Sequence, residues 1–525
     1  MRILESATLD VPSLSYSQQY WAYNGLDCMI TMEVFQALSH SIKEVPFAYN
    51  MTRAMQAPAF TLMKRGVKVD MARRGEVLNS LSLQRARAEE IFFRLCTEGL
   101  GLEPYFDKKH KKHFAINPAS PQQLCQLFYE VLCLPPIKSF DKLTKEYKVS
   151  CDRKALEKMQ REPISKPFCD LILGIRDYTN KIQVLETGIE NSRIHCAYQV
   201  AGPMTGRWSS NEDPFGRGTN LQNITDEMRR IFVPDRGKKF CQLDLAQAES
   251  KLVAYLSLPF GRSYLQACES SDLHTTVTRL VWPEIFAGAT LSDKEIAKRP
   301  FYRHFSYRDM AKRGGHGTNY GGSDAVIAMH LNIPKAQASL FQKKYFGAFA
   351  EIPRWHNDVR MRLASTRQIT TPLGRRCFFP GRPWDNDTIK SAIAYAPQSS
   401  IGDILNLGFL KVWKKYDKIH NSNYPIEILT QVHDSILFQY DEKDESWIVP
   451  LIQRELQVPV EINGEVCRIG VDAQIGWNWG KHSDVNPHGL MDYKGKDYRE
   501  PPKEKSILDR SVCEVYSPYK QSSHL

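Results

Sequence analysis

The sequence predicts an α+β protein of several subdomains, on three observations. Residues from about Met71 to Ile182 carry mostly helical spacing, interrupted where Pro118, Pro121, Pro135 and Pro136 mark loops. From about Ile194 to Leu243, polar and apolar residues alternate in places, as they do along strands. Ile426 to Tyr440 is strand-like on both sides of His433-Asp434, which places those two residues at the tip of a hairpin.

Each element has a local reason. A helical run spans Tyr23 to Leu38, and another region opens near Thr52 before the short extended piece Gly66-Val67-Lys68-Val69-Asp70. The apolar strand Phe240-Cys241-Gln242-Leu243 ends at Asp244. After Gln247, the spacing of Leu252, Val253 and Leu256 is helical. Pro353 to Ile369 reads as a further helix, closed by the turn Thr371-Pro372-Leu373-Gly374. The charge run Asp107 to His113 reads first as a solvated loop, and as a phosphate contact if it lies on a domain that grips a polymer.

The 525 residues suit three or four domains, and a 42% apolar fraction excludes a disordered or low-complexity chain. No apolar stretch is long enough to span a membrane, and the N-terminal residues lack a signal-peptide core. The twelve cysteines are scattered without a C-x-x-C pair, which fits thiols in a reducing compartment such as the cytoplasm. The net charge of +11 suits a polyanionic partner, but composition alone favours plain solubility by roughly two to one. The segment after Lys481 is polar and nearly charge-balanced, so it is no basic arm.

Three segments carry chemistry together. Asp244 stands at a strand end and Asp434 at a hairpin tip, so the two carboxylates can meet across one sheet. Hard oxygen donors in that arrangement suit Mg²⁺, and two such ions would stabilise the attacking and leaving oxygens of a phosphoryl transfer. Taken singly, each Asp reads as a cap or turn residue. Arg308, Lys312, His316 and Tyr320 recur every fourth residue and share one helix face, with cations for phosphates and rings for sugar and base. The rival reading is a solvated charged face. Gly314, Gly315 and Gly317 weigh against it, since each costs about 1 kcal/mol in a helix and implies close approach of a ligand or neighbouring helix, or a bend. No P-loop pattern occurs.

These segments resemble motifs A, B and C of family A DNA polymerases, the group of bacterial DNA polymerase I and many phage replicases. Asp244-Leu245-Ala246-Gln247-Ala248-Glu249 is similar to motif A, Arg308 through Gly321 to motif B, and His433-Asp434-Ser435 to motif C. Thr205-Gly206-Arg207-Trp208-Ser209-Ser210, Asn220-Leu221-Gln222-Asn223-Ile224, Asp272-Leu273-His274 and Tyr395-Ala396-Pro397-Gln398 resemble further signatures of that family, and Phe114 to Leu124 resembles the opening of a thumb helix with Ser120 as N-cap. The likeness runs from about residue 20 to 480.

The resemblance implies a right-hand polymerase fold with thumb, palm and fingers. Its implied divisions are an exonuclease remnant or docking segment over 1–50, thumb over 51–193, palm over 194–257 and 379–480, fingers over 258–378, and a tail over 481–525. It implies two Mg²⁺ ions held by Asp244, the Leu245 carbonyl and Asp434. Gln247, Glu249, His274, Arg308, Lys312, His316 and Tyr320 would face the incoming dNTP, with Glu249 excluding a 2′-hydroxyl. Arg207, Asn220, Asn223, Lys390, Gln398 and His433 would face the primer–template, reading pair shape in the minor groove. His316 replaces the family's Phe or Tyr, and Ser435 replaces its acidic residue.

The implied activity is template-directed addition of deoxynucleotides to a primer end, as in a phage-type replicase, with the bacterial host cytoplasm as its setting. Tyr23-Asn24-Gly25-Leu26-Asp27 resembles the last motif of the family's 3′–5′ proofreading domain, whose other motifs lie far upstream. The expectation is therefore a chain that does not proofread alone, with a separate exonuclease subunit or processivity factor as partner and no membrane. Two rivals stand beside this reading: a single-subunit RNA polymerase, against which Glu249 speaks, and a non-catalytic DNA-binding scaffold, against which the intact Asp244, Asp434, Arg308 and Lys312 speak.

Overall fold

A computed structural model describes residues 13–108, 111–141, 146–302, 305–420 and 426–495. Part of the charge run (Lys109 and His110) and the tail from residue 496 lie outside them. At the centre is a five-stranded antiparallel sheet. In chain order its strands are β1 (Lys238–Leu245), β2 (Glu427–Val432), β3 (Ser435–Asp441), β4 (Val471–Gly476) and β5 (Met491–Asp492), and in space they run β2-β3-β1-β4-β5. Strands β2 and β3 are buried nearly throughout, so their apolar runs have cover on both faces. The expected hairpin is β2–β3, closed by the two-residue turn His433-Asp434, with His433 at a φ of 52°.

The helices named below are α1 (Tyr16–Glu44), α2 (Met71–Arg94), α3 (Lys166–Glu186), α4 (Ala248–Ser257), α5 (Leu273–Val281), α6 (Tyr307–Asn319), α7 (Lys335–Ala348), α8 (Glu351–Thr366), α9 (Asn386–Tyr416) and α10 (Glu445–Leu456). Side chains fix their starts. Asp70 caps α2 by accepting from Arg73 N at 3.0 Å, and Ser306 with Asp309 forms a capping box on α6. Among the described residues, none of the helices is long and apolar enough to cross a membrane.

Three apolar cores result among the described residues. The first packs the sheet against α10 and the C-terminal half of α9, through residues such as Phe240, Phe409, Phe438 and Ile448. The second lies among α5 to α8 and includes Val277, Phe341, Tyr345 and Trp355. The third joins Phe92, Leu124, Phe128 and Ile172. Helix α9 belongs to two of them, since Ala392, Ile393 and Ala396 enter the second core and Ile401, Leu405 and Phe409 the first. Helix α4 does the same with Leu252 and Val253. Two elements thus tie the sheet rigidly to the helical layer above it.

Buried ion pairs reinforce these junctions. Arg65 grips the fully buried Asp417 with two 2.8 Å hydrogen bonds and donates to the Ile428 carbonyl at 2.6 Å, fastening the helix at Gln56–Arg65 to the start of β2. Arg375 meets Asp403 of α9 at 2.7 Å. Such pairs hold geometry more than they add stability, because both ions give up their water.

Two departures from the sequence reading have clear causes. The stretch from Met71 to Ile182 contains two small hairpins, Tyr105–Asp107 with Lys112–Phe114 and Lys138–Asp141 with Glu146–Val149. Their strands are short and largely exposed, so they bury too little for a periodic signal. The polar segment after Lys481 also begins inside the fold. Leu490 enters the sheet core and β5 pairs with β4, although the segment's composition is that of a tail.

The glycines of α6 have a packing cause. A Cβ on Gly314 would stand 2.8 Å from the Phe341 ring and 2.7 Å from the Met310 methyl, and one on Gly315 would stand 3.3 Å from Tyr345. Phe341 and Tyr345 belong to α7, so of the causes left open by the sequence, close approach of a neighbouring helix applies. Substituting Gly314→Ala should therefore destabilise the protein by about 1–3 kcal/mol, as overpacking does, despite alanine's better helix propensity. Chemical denaturation measures this, and an unchanged midpoint would contradict the packing account.

Candidate active site

The floor of the site follows from strand register. β1 runs antiparallel to β3 with Asp244 opposite Ser435, and to β4 with Asp244 opposite Asp472. The Leu245 N–H donates to the Asp434 carbonyl at 3.1 Å, so the hairpin turn is bonded to the end of β1. Asp434 thereby lines a cleft of ≈ 430 Å³, which Leu245, Glu249, His274, Lys312 and His316 also line. Asp434 is a cleft residue and Asp244 closes the adjoining strand end.

Electrostatics at this floor is unfavourable to the bare protein. The Asp244 carboxyl is held above its ordinary value, by desolvation first and then by the charges of Asp434 and Asp472. A hydrogen bond from Gln242 at 3.3 Å and the Arg229 charge act against that shift. The side chain is open to solvent at the cleft floor, yet protein walls surround it, so desolvation and exposure coexist. Asp434 Oδ1 is buried and lacks an aligned hydrogen bond, although Arg207 Nη2 lies 3.0 Å away as an ion pair. The Asp434 carboxylate, ion-paired with Arg207, the Asp244 carboxylate and the Leu245 backbone at the same strand end are oxygen donors of the kind that Mg²⁺ takes.

Above the floor stands α6. Arg308 donates from Nη2 to Asp272 Oδ1 at 3.0 Å, and Asp272 also caps α5 by accepting from Thr275 N at 3.2 Å. Burial acts to raise the Asp272 carboxyl, but these bonds hold it below the usual range. His274, half-buried beside them, is pushed down to about 4, by burial and then by the Arg308 and Lys312 charges. It is therefore neutral at pH 7. Lys312 and His316 follow at the next turns, both exposed to the cleft.

The far end of α6 meets Glu249, in the first turn of α4. His316 Nδ1 lies 3.0 Å from Glu249 Oε2, and Arg207 Nη2 lies 3.7 Å from Oε1. Tyr320, the C-cap of α6, packs edge-on to His316 at 4.9 Å, and its buried hydroxyl makes no aligned hydrogen bond. Burial, with the nearby Glu249 charge, raises that hydroxyl well above its usual range. A polar network fixes the helix end below: Asn319 bonds Tyr264, Tyr345 and His356 at 2.8–2.9 Å.

The remaining expected residues are placed around α9 and the hairpin. Arg207 packs over Gly402, and the preceding Gly206, at a φ of 74°, lies where any Cβ would meet the Arg375 guanidinium at 2.5 Å. Gln398 sits half-buried one turn before Gly402, and Lys390 lies near Gly321. Asn220 caps the short turn Leu221–Asn223 and accepts from Ser210 at 2.8 Å, while Asn223 is exposed. Gln247 takes a left-handed backbone at a φ of 53° between β1 and α4. His433 is exposed at the turn. Arg207 thus bridges two carboxylates here, an arrangement its assignment to the primer–template did not include.

Sequence reasoning missed several supporting residues. Asp472 faces Asp244 across β1–β4, and only the sheet register reveals it. Gln222 donates to Gln431 Oε1 at 3.0 Å, and Gln431 Nε2 to the His433 carbonyl at 2.7 Å, so the Asn220–Ile224 segment holds the hairpin turn through two buried amides. Asp403 and Arg375 support the Arg207 loop. A larger hollow of ≈ 590 Å³ lies elsewhere, and its Arg65, Arg193 and Arg217 are already paired with Asp417, Asp235 and Asp213.

The profile of DNA polymerase family A matches residues 102–481, and the chain belongs to that family. It is 28% identical over 386 residues to DNA polymerase I of Caldicellulosiruptor bescii, across 70% of this chain and 41% of that protein. To DNA polymerase I of Synechocystis it is 23% identical over 498 residues, across 87% of this chain and 45% of the relative. The chain thus spans less than half the length of these two relatives. The solved POL domain of Pol1 from M. smegmatis, in complex with DNA primer–template and dNTP, superposes with a TM-score of 0.62 over 79% of this chain and 67% of that one, at 23% identity. That likeness gives the fold: an α+β right hand.

The raised Asp244 carboxyl makes a signed prediction. Ionised Asp244 costs the folded state stability at neutral pH, and this cost fades as pH falls below the ordinary carboxylate value of about 4. Without divalent cations, Asp244→Asn should raise stability at pH 7 by no more than about 1 kcal/mol, since water screens the open site. The gain should vanish near pH 3.5. Thermal denaturation at the two pH values checks it, and a destabilised variant at pH 7 would contradict the electrostatic reading.

Proposed function

We propose that the chain is a DNA-directed DNA polymerase that adds deoxynucleotides to a primer 3′ end. The observation that carries this is the convergence on one cleft of Asp434, the adjoining Asp244, and the His274–Lys312 flank that continues to Arg308. Its support in kind is family membership. In this reading the sheet and its covering helices are the palm (194–257 and 379–480), residues 258–378 the fingers, and 51–193 the thumb.

Each residue then has a task. Arg308, Lys312 and neutral His274 would bind the triphosphate, with the two cations matching its negative charge. Glu249 would stand under the sugar, where a 2′-hydroxyl would clash, with Gln247 beside it. Tyr320 and His316 would border the nascent pair. Arg207, Gln398, His433, Lys390, Asn220 and Asn223 would lie along the primer–template, where positioning of the 3′-hydroxyl against the α-phosphate supplies much of the rate. Asp244, the Leu245 carbonyl and Asp434 would hold two Mg²⁺ ions, which when bound would stabilise charge on the reacting oxygens.

The remaining partner is read from α1. Tyr23 and Asp27 lie on an exposed helix whose Tyr16 and Trp21 side chains are also open to solvent. This exposure supports a docking role for the segment toward an exonuclease subunit or processivity factor, as in a phage-type replicase; in this reading the chain does not proofread alone.

Primer extension on a defined template with Mg²⁺ tests the proposal. The full chain should incorporate dNTPs well above NTPs, and Asp244→Ala or Asp434→Ala should lower the rate about a thousandfold, the equivalent of several kcal/mol of lost charge stabilisation. A mismatched primer in the same reactions should not be shortened. Unchanged extension in either variant would overturn the assignment of the floor, and NTPs used as well as dNTPs would favour an RNA polymerase. Shortening that Asp27→Ala abolishes would overturn the absence of proofreading.

A further inference from the structure

We propose that Arg207 is a positioning residue for the metal floor: its guanidinium stands on the Asp434 carboxylate in the chain without DNA and leaves it for the minor-groove edge of a bound primer terminus, so that primer–template binding opens Asp434 to a divalent cation. This rests on the polymerase reading above and adds to it a coupling between the DNA and metal sites.

The contact is made by charge and not by hydrogen bonding. Arg207 Nη2 lies 3.0 Å from Asp434 Oδ1 and 3.7 Å from Glu249 Oε1. Yet Nη2 and Nε of Arg207, like Oδ1 of Asp434, are buried without an aligned hydrogen-bond partner. A buried N–H with no acceptor is costly, so the guanidinium sits where its charge is met and its donors are not. The rest of the residue is fixed. A Cβ on Gly402 of α9 would stand 3.3 Å from Arg207 Cγ and 3.5 Å from its backbone N, and Asn406 Nδ2 donates to the Gly206 carbonyl at 3.4 Å. Asp434 is fixed from its own side. Its carbonyl accepts from the Leu245 N–H at 3.1 Å, and the neighbouring His433 carbonyl accepts from Gln431 Nε2 at 2.7 Å. The head of Arg207 is therefore the part of this pair that can turn while both backbones stay in place.

A primer terminus supplies what the head lacks. Base pairs present acceptors in the minor groove, N3 of a purine and O2 of a pyrimidine, and a guanidinium carries its N–H donors in a fixed fork that can meet them. Turning toward them takes the positive charge off Asp434. That carboxylate then lies beside the end of β1, where Asp244 stands opposite Ser435, with its 3.0 Å counter-charge gone. Asp434 is then open to a divalent cation, which hard oxygen donors suit. Before the turn, the guanidinium charge opposes any cation at the same oxygen. The linkage is reciprocal. Arg207, kept off Asp434 by a bound cation, stays on the primer side, and DNA binding tightens by the same factor as metal binding does.

The test is the dissociation constant for Mn²⁺, read from the free ion by electron paramagnetic resonance, which needs no turnover. The full chain is measured alone and with saturating primer–template whose primer ends in guanine or in 3-deazaguanine. The deaza base has C–H in place of the N3 acceptor, and both duplexes carry the same phosphates. In the native protein the guanine primer should tighten Mn²⁺ binding about tenfold more than the deaza primer does, a coupling of ordinary size. Without DNA, Arg207→Gln should bind Mn²⁺ about tenfold more tightly than the native protein, and with DNA it should not distinguish the two primers. Arg207→Lys, which keeps the charge, should stay as weak as the native protein without DNA. Damage to the loop would move Arg207→Gln and Arg207→Lys alike, so their divergence reports the charge. Equal tightening by both primers in the native protein, or an unchanged affinity in Arg207→Gln, would overturn the proposal. Mn²⁺ bound as tightly by Asp434→Asn as by the native protein would overturn the metal floor of the polymerase reading on which it rests.

Discussion

Pairing of β1 with β3, from Lys238 opposite Asp441 to Asp244 opposite Ser435, decides where every other functional group must stand. A slip of one residue would turn Asp244 to the opposite face of the sheet and bury a charge, so the register is under strong energetic control. The apolar residues between enforce it: Phe240, Cys241 and Leu243 on β1 and Ile436, Leu437 and Phe438 on β3 are all essentially excluded from water. Desolvation first, and then the charges of Asp434 and Asp472, raise the Asp244 carboxyl, and a cation bound at the floor would relieve that cost.

The second constraint is the helical layer above. Helix α9 contributes side chains to both large cores, so the sheet and the α5–α8 layer share one rigid strut. Gly402, Asp403 and Asn406 on one stretch of that strut receive Arg207, Arg375 and the Gly206 carbonyl respectively. The loop that carries Arg207 is therefore set by the same helix that sets the floor. Helix α6 seats closely on α7 through its glycines, and this places His316 against Glu249 from the other side.

Much of this was legible in the sequence, for physical reasons. A strand that stops at Asp244, a two-residue turn at His433-Asp434 and a four-residue repeat from Arg308 to Tyr320 are local patterns, and the α+β class, Asp434, Lys312 and His316 follow from them, whereas Gln247, Glu249 and His274 were implied only by the family resemblance. What could not be read depends on contacts distant in the chain. Asp472 becomes relevant only through its register with Asp244, and Gln222 and Gln431 matter only because their amides meet. The α6 glycines were visible, but the Phe341 and Tyr345 rings that require them are not encoded nearby. The two exposed hairpins and the strand Met491–Asp492 were missed because each buries too few side chains to leave a period.

The central claim is that one strand end and one hairpin turn form a single cation-binding floor for an incoming nucleotide. Diffraction from crystals of the chain with primer–template DNA, a dNTP that cannot react and Mn²⁺ in place of Mg²⁺ tests it most directly. Anomalous signal should appear between the Asp244 and Asp434 carboxylates, with the triphosphate reaching toward Arg308 and Lys312. Anomalous signal elsewhere, or a bound nucleotide with neither aspartate at a metal, would contradict the account.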